Sequence, residues 1–125
     1  MSVSKSLLED MRDGLLETFN ETAKDVGSTY KWRNMASLAG QILECEQLIG
    51  SNNMTLLSVQ NKLFKEFEIA RRAPDKLEFA TQLSQQVIGY QKELDKIEKS
   101  AEKLLSSEQK FNLKPSALSN FPAQP

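Results

Sequence analysis

The chain has 125 residues, 39% of them hydrophobic and 26% charged, with sixteen basic side chains against seventeen acidic ones and a net charge of −1. That is room for one domain with a modest core, too apolar for a wholly disordered chain, and too neutral to be drawn as a whole to nucleic acid or anionic lipid. The charge is uneven all the same: residues 1–50 hold five Lys/Arg and eight Asp/Glu, while residues 51–125 hold eleven and nine.

Glycine and proline divide the chain into four helical segments and a tail. Ser6-x-x-Glu9 reads as a capping box opening a first helix over about residues 7–26, with Gly27 as its stop and Gly14 an unfavourable interior residue. A second helix is expected over about 29–49, ending at Gly50. Met35, Leu38, Ile42, Cys45 and Ile49 make its apolar stripe, flanked by the small Ala36, Ala39 and Gly40. Ser51-Asn52-Asn53 is a turn, and one of the three caps a third helix over about 54–73. Its stripe is Leu56, Val59, Leu63, Phe67 and Ala70, widened by Leu57 and Phe64, and Pro74 ends it.

Asp75-x-x-Glu78, a second capping box, opens a fourth helix over about 76–111. Ala80, Leu83, Val87, Tyr90, Leu94, Ile97, Ala101 and Leu104 keep a strict 3-4 heptad spacing, and Phe111 returns to it after Glu108. Such a helix is about 54 Å long at 1.5 Å per residue, against about 30 Å for helices of twenty. Residues 112–125 hold three of the four prolines and read as an extended tail with Leu113, Leu118 and Phe121 as apolar anchors. The fold class expected is all-α: an antiparallel bundle of about four helices with a long C-terminal heptad helix and an extended tail.

The chemistry available is narrow. There is no histidine, which removes the commonest general base, the usual zinc ligand and every imidazole-dependent triad. Cys45, the one cysteine, lies on an apolar stripe and reads as a buried structural thiol. The five glycines form no phosphate-cradling pattern, and the Glu-x-x-His pairs of carboxylate-bridged metal bundles are missing. Glu44 and Glu46 are expected on the solvated flank of the second helix. No enzyme and no cofactor or metal is expected. No cationic, apolar leader opens the chain and no apolar run is long enough to cross a bilayer. A cytoplasmic setting, or a virion, is the natural expectation.

Two charged arrays stand out. Glu9, Asp13, Glu17, Glu21 and Asp25 recur every four residues and read first as a solvated face; because like charges at that spacing disfavour a helix, a basic partner surface or an internal salt-bridge seam are the alternatives. Lys92, Lys96, Lys99 and Lys103 take outward heptad positions interleaved with Glu93, Asp95, Glu98 and Glu102, a mixed and solvated face. Trp32, between Lys31 and Arg33, is expected to close the junction of the first two helices.

These features favour a non-catalytic protein–protein assembly, adaptor or scaffold subunit that self-associates. Small viral structural or packaging accessory proteins and assembly chaperones offer an analogy of architecture only. Its interface residues are expected to be Leu83, Val87, Tyr90, Leu94, Ile97, Leu104, Leu105 and Phe111 on the fourth helix, with Leu113, Leu118 and Phe121 in the tail. The alternative is an oligomeric nucleic-acid-handling protein, its second and third helices read as a helix-turn-helix. Gln60, Asn61, Lys62 and Lys65 then face a groove, beside a basic knot at Arg71, Arg72 and Lys76.

Overall fold

The structure is a computed structural model that describes residues 4–28 and 30–113, with side chains through Leu105. Its elements are α1 (Lys5–Lys24), α2 (Lys31–Ile49), α3 (Asn53–Ala70) and α4 (Leu77–Leu113), with a 3-10 turn at Pro74–Lys76 leading into α4. The described residues contain no strand. The fold is therefore the all-α helical bundle with a long C-terminal helix that the apolar periodicity predicts. Two units divide between Leu94 and Asp95: the first holds α1 to α3 and the opening half of α4, and the second begins within α4.

The helix ends show how local chemistry sets the boundaries. Ser4, not Ser6, caps α1, its hydroxyl accepting from the Leu7 amide at 3.2 Å, so the helix starts two residues early and Glu9 falls outside the box. α1 stops at Lys24 rather than Val26 because Asp25 turns extended and takes the Gly27 amide on its own carboxylate, a local bond that competes with another helical turn. Gly50 ends α2 at φ 115°, a conformation that a side chain disfavours. Asn52 caps α3 by accepting from the amides of Met54 and Thr55. α3 ends at Ala70, three residues before the expected boundary, in a short turn through Arg71 to Ala73. Ala73, extended ahead of Pro74, leads into the 3-10 turn, and no side chain caps it, so the Asp75/Glu78 box does not form the start of α4. Leu113, expected in the tail, is the last residue of α4. Leu118 and Phe121 lie outside the described residues.

Within the first unit the helices alternate in direction. Arg12 near the start of α1 meets Glu46 near the end of α2, Trp32 at the start of α2 meets Glu66 in α3, and Gln60 in α3 meets Val87 and Gln91 in α4. α2 and α4 consequently run parallel, with Ala39 opposite Tyr90 and Gln47 opposite Glu93. The core is Phe19 from α1, Met35, Ala36, Ala39, Ile42 and Cys45 from α2, Leu56, Val59, Leu63 and Ala70 from α3, and Ala80, Leu83 and Tyr90 from α4. Burying each large apolar side chain contributes roughly 1.5–3 kcal/mol. Small residues on α2 set the approach of α4: a Cβ on Gly40 would meet the Gln86 side chain at 3.4 Å. Leu57 and Phe64 do not widen the buried face of α3, since both are about half exposed. That face widens on its other side, toward Glu66.

Three carboxylates are buried with the core: Glu46, Glu66 and Glu93. Each joins segments that lie far apart in sequence. Glu46 accepts from the Arg12 guanidinium and from the Asn52 amide, both at 2.7 Å. Glu66 accepts from the Trp32 indole at 2.9 Å and pairs with Lys31 at 3.3 Å. Glu93 accepts from Gln47 at 3.1 Å and from the Ser51 hydroxyl at 2.6 Å. No buried side-chain polar atom among the described residues lacks a partner. Two sequence expectations are corrected here. Glu46 and Glu93 are not on solvated faces, because the spacings 39-42-46 and 90-93-97 carry each of them into its helix's apolar stripe. Trp32 lines a recess with Asp25, Val26 and Ser28 of the α1–α2 connection, and it also ties α2 to α3, with its ring 6.4 Å from that of Phe79 in α4.

Two stability measurements test these assignments. Glu46→Ala strands the part-buried Arg12 charge and the Asn52 amide, and is expected to lower the unfolding free energy by about 3–5 kcal/mol, while Arg12→Met with Glu46→Leu recovers most of that loss. Urea unfolding reads both. Gly14 sits inside α1 with open space where a Cβ would project, so Gly14→Ala is expected to raise the urea midpoint by an equivalent of about 0.5–1 kcal/mol.

Candidate functional site

The heptad stripe of α4 has two fates. Ala80, Leu83 and Tyr90 are buried, Val87 and Leu94 are half-buried, and all five belong to the bundle of the first unit. Leu83 and Tyr90, expected at an interface, are instead core residues of the first unit, where Tyr90 meets α2 at Ala39. In the second unit the stripe continues in sequence through Ile97, Ala101, Leu104 and Leu105. Ile97 is partly exposed, Ala101 is exposed, Leu104 is 64% exposed and Leu105 is 57% exposed. Phe111 and Leu113 are in the helix, at its C-terminal end.

Other exposed apolar side chains, such as Leu7, Met11 and Leu48, lie on helices whose opposite faces are buried in the bundle, as is common on protein surfaces. The distal part of α4 differs. Among its described side chains, from Asp95 to Leu105, none is buried.

The expected nucleic-acid contacts do not converge on one surface. The Lys62 ammonium donates to Asn20 of α1 at 2.8 Å, and Gln60 on the other flank of α3 is held by α4. α3 is braced on both sides and does not present these two residues together. Lys62 and Lys65 line a recess of about 220 Å³ with Asn20, Ala23 and Lys24. Lys76 lines a different one of about 330 Å³ with Asp25, Lys31, Trp32 and Ile69, and Glu66 contributes to both walls. Arg71 and Arg72 pair with Glu68, at 2.9 and 3.7 Å. Each basic group thus has an acidic neighbour, and the larger recess carries two acidic and two basic side chains.

The acidic ladder of α1 stays at the surface. Asp13, Glu17, Glu21 and Asp25 are exposed, Glu9 partly so, with Asp13 paired to Arg12 and Glu21 to Lys24. Among the described residues no group of three or more His, Cys, Asp or Glu side chains is placed to hold a metal ion. No helix there is long and apolar enough to cross a membrane. Comparison with protein-family models, curated proteins and solved structures finds no match.

One titrating group in the core reports on the packing of α2 against α4. The Tyr90 hydroxyl donates to the Ala39 carbonyl at 2.7 Å, and its pKa is raised by burial and, secondarily, by the negative charge of Glu46. A phenol harder to ionise in the folded state contributes stability that is complete below the unfolded value of about 10 and is lost as pH rises above it. Tyr90→Phe is expected to remove about 0.5–1.5 kcal/mol at neutral pH. It should also flatten the alkaline decline in stability that urea titrations of the wild-type protein show from about pH 10 upward. Identical declines in the two proteins would place Tyr90 outside that titration.

Proposed function

We propose that the chain is a non-catalytic assembly or adaptor subunit that self-associates through the distal part of α4. The observation that carries this reading is the run of exposed apolar side chains at Ala101 and Leu104, in heptad register with the residues that α4 buries in its own bundle, and at Leu105 beside them. Covering two leucines and the flanking stripe contributes roughly 1.5–3 kcal/mol for each large side chain. The polar side chains that would otherwise suggest chemistry are committed elsewhere: the three buried carboxylates serve as inter-helix acceptors, and Cys45 is buried. The nucleic-acid reading is not carried forward, because Gln60 and Lys62 are engaged on opposite flanks of α3.

Light scattering coupled to size-exclusion chromatography tests the proposal. The wild-type chain is expected to elute as a discrete multiple of 14.1 kDa, and Leu104→Glu with Leu105→Glu to elute as the monomer with the bundle's urea midpoint unchanged. A wild-type monomer across a hundredfold concentration range would sink the reading. An unchanged multiple in the double variant would move the seam elsewhere.

A further inference from the structure

The recess between α1 and α3 carries an excess of positive charge that the bundle does not use. It measures about 220 Å³, and its walls are Asn20, Ala23 and Lys24 of α1 with Lys62, Lys65 and Glu66 of α3. Three lysines therefore line it against one glutamate. That glutamate is already engaged, since Glu66 accepts from the Trp32 indole at 2.9 Å and pairs with Lys31 at 3.3 Å. Lys24 has an exposed contact with Glu21 at 3.7 Å. Lys62 and Lys65 form no ion pair among the described residues.

Lys62 is the informative member of the cluster. It is half-buried, and its ammonium donates to the side-chain carbonyl of Asn20 at 2.8 Å, a neutral acceptor. Drawing an ammonium partly out of water is unfavourable unless an opposite charge faces it. The bond to Asn20 fixes the position of the group and leaves its charge unmatched. Lys65, one turn further along the same helix, adds repulsion of like sign. An arrangement that is unfavourable when empty becomes favourable once an anion is added.

We infer that this recess binds a phosphate group, as the dianion of inorganic phosphate or of a small phosphate monoester. Each lysine is a compact charge with three donors on a flexible stem. Such groups approaching from two helices suit a tetrahedral dianion, which carries acceptor oxygens on every side, better than a flat, singly charged carboxylate. The recess is larger than a phosphate group alone, and Ala23 supplies an apolar wall for an ester carbon. A nucleic-acid strand does not fit the charge pattern. Arg71 and Arg72 are paired with Glu68, and Lys76 lines a different recess, so no basic track continues from the lysines along a backbone. The site lies wholly within the first unit and does not depend on how α4 associates.

Trp32 is the one tryptophan of the chain, and its bond to Glu66 makes its emission a reporter of this recess. The full chain is titrated with inorganic phosphate and, separately, with glycerol phosphate, with sodium chloride holding the ionic strength constant. Each titration is expected to give a saturable change in emission and a rise in unfolding temperature over the same concentration range. The tighter of the two ligands tells a free ion from an ester. Lys62→Gln keeps an N–H donor for Asn20 and removes the charge. It and Lys65→Gln are each expected to weaken the affinity at least tenfold. Lys92→Gln, on the exposed face of α4, is expected to leave it unchanged. Without phosphate, Lys62→Gln is expected to unfold no earlier than the wild type, because the unmatched charge is gone. Three results overturn the site: no saturation by about 10 mM of either ligand, equal affinity in the wild type and Lys62→Gln, or an affinity loss as large in Lys92→Gln. A Lys62→Gln chain that unfolds earlier than the wild type in the absence of phosphate also counts against it, since the lysines would then serve the bundle itself.

Discussion

The carboxylate of Glu46 is surrounded by the protein, and each of its oxygens has one donor: the Arg12 guanidinium from α1 and the Asn52 amide from the turn into α3. Taking a carboxylate out of water costs several kcal/mol, and that cost is offset only where donors are held in good geometry. The two oxygens of Glu46 are both satisfied only if α1, α2 and the α2–α3 turn are in one relative arrangement. The interaction also leaves its mark on the neighbours. Hydrogen bonding to Glu46 raises the Arg12 pKa, and the Glu46 charge adds to burial in raising that of Tyr90. The same carboxylate therefore reaches α1, the turn and the core contact between α2 and α4.

Glu66 and Glu93 repeat the arrangement at other levels. Glu66 holds the start of α2 to α3 through Trp32 and Lys31, and Glu93 holds the end of α2 and the following turn to α4 through Gln47 and Ser51. α2 takes part in all three. Its small residues admit α4 closely at Gly40, and its buried face supplies five of the core positions named above together with Glu46. Apolar stripes alone permit several rotations and axial slips of one helix on another, since one leucine covers a hole nearly as well as the next. A buried acid that must find a particular donor does not tolerate a slip of one turn. Each buried acid thus restricts registry, while the aliphatic core supplies the larger burial.

The four helices were legible in the sequence because their signals are short-range: 3-4 spacing of apolar residues, an asparagine cap at Asn52, glycine at Gly50 and proline at Pro74. The acids were not, because each looks polar when its helix is considered alone. The signal lay in a pairwise pattern. Leu8, Arg12, Leu15 and Phe19 are spaced 4-3-4, placing a single arginine on an apolar stripe, and Ala39, Ile42 and Glu46 place a single glutamate on the stripe of the next helix. An antiparallel turn between the two brings charge to charge. For the same reason Leu83 and Tyr90 read as interface: heptad spacing reports that a residue is covered, and the identity of the cover depends on which helix lies opposite. Glu9 and the acidic positions after it read correctly as a surface array, since nothing on the apolar side of α1 competes for them except Arg12.

The contrast between the two units of α4 follows from the same accounting. Up to Glu93 the helix is specified by what it touches: Phe79 against Trp32, Tyr90 against Ala39, Glu93 against Gln47 and Ser51. From Asp95 to Leu105 no described side chain is buried, and lysine, glutamate, alanine and leucine, all strong helix formers, dominate the composition. Propensity is sufficient to explain a helix there, but it does not explain a heptad. A helix stabilised by composition alone has no use for Ile97, Ala101 and Leu104 at 3-4 spacing with Leu105 beside them, since each exposed large apolar side chain is unfavourable in water and an alanine at the same position would form helix better.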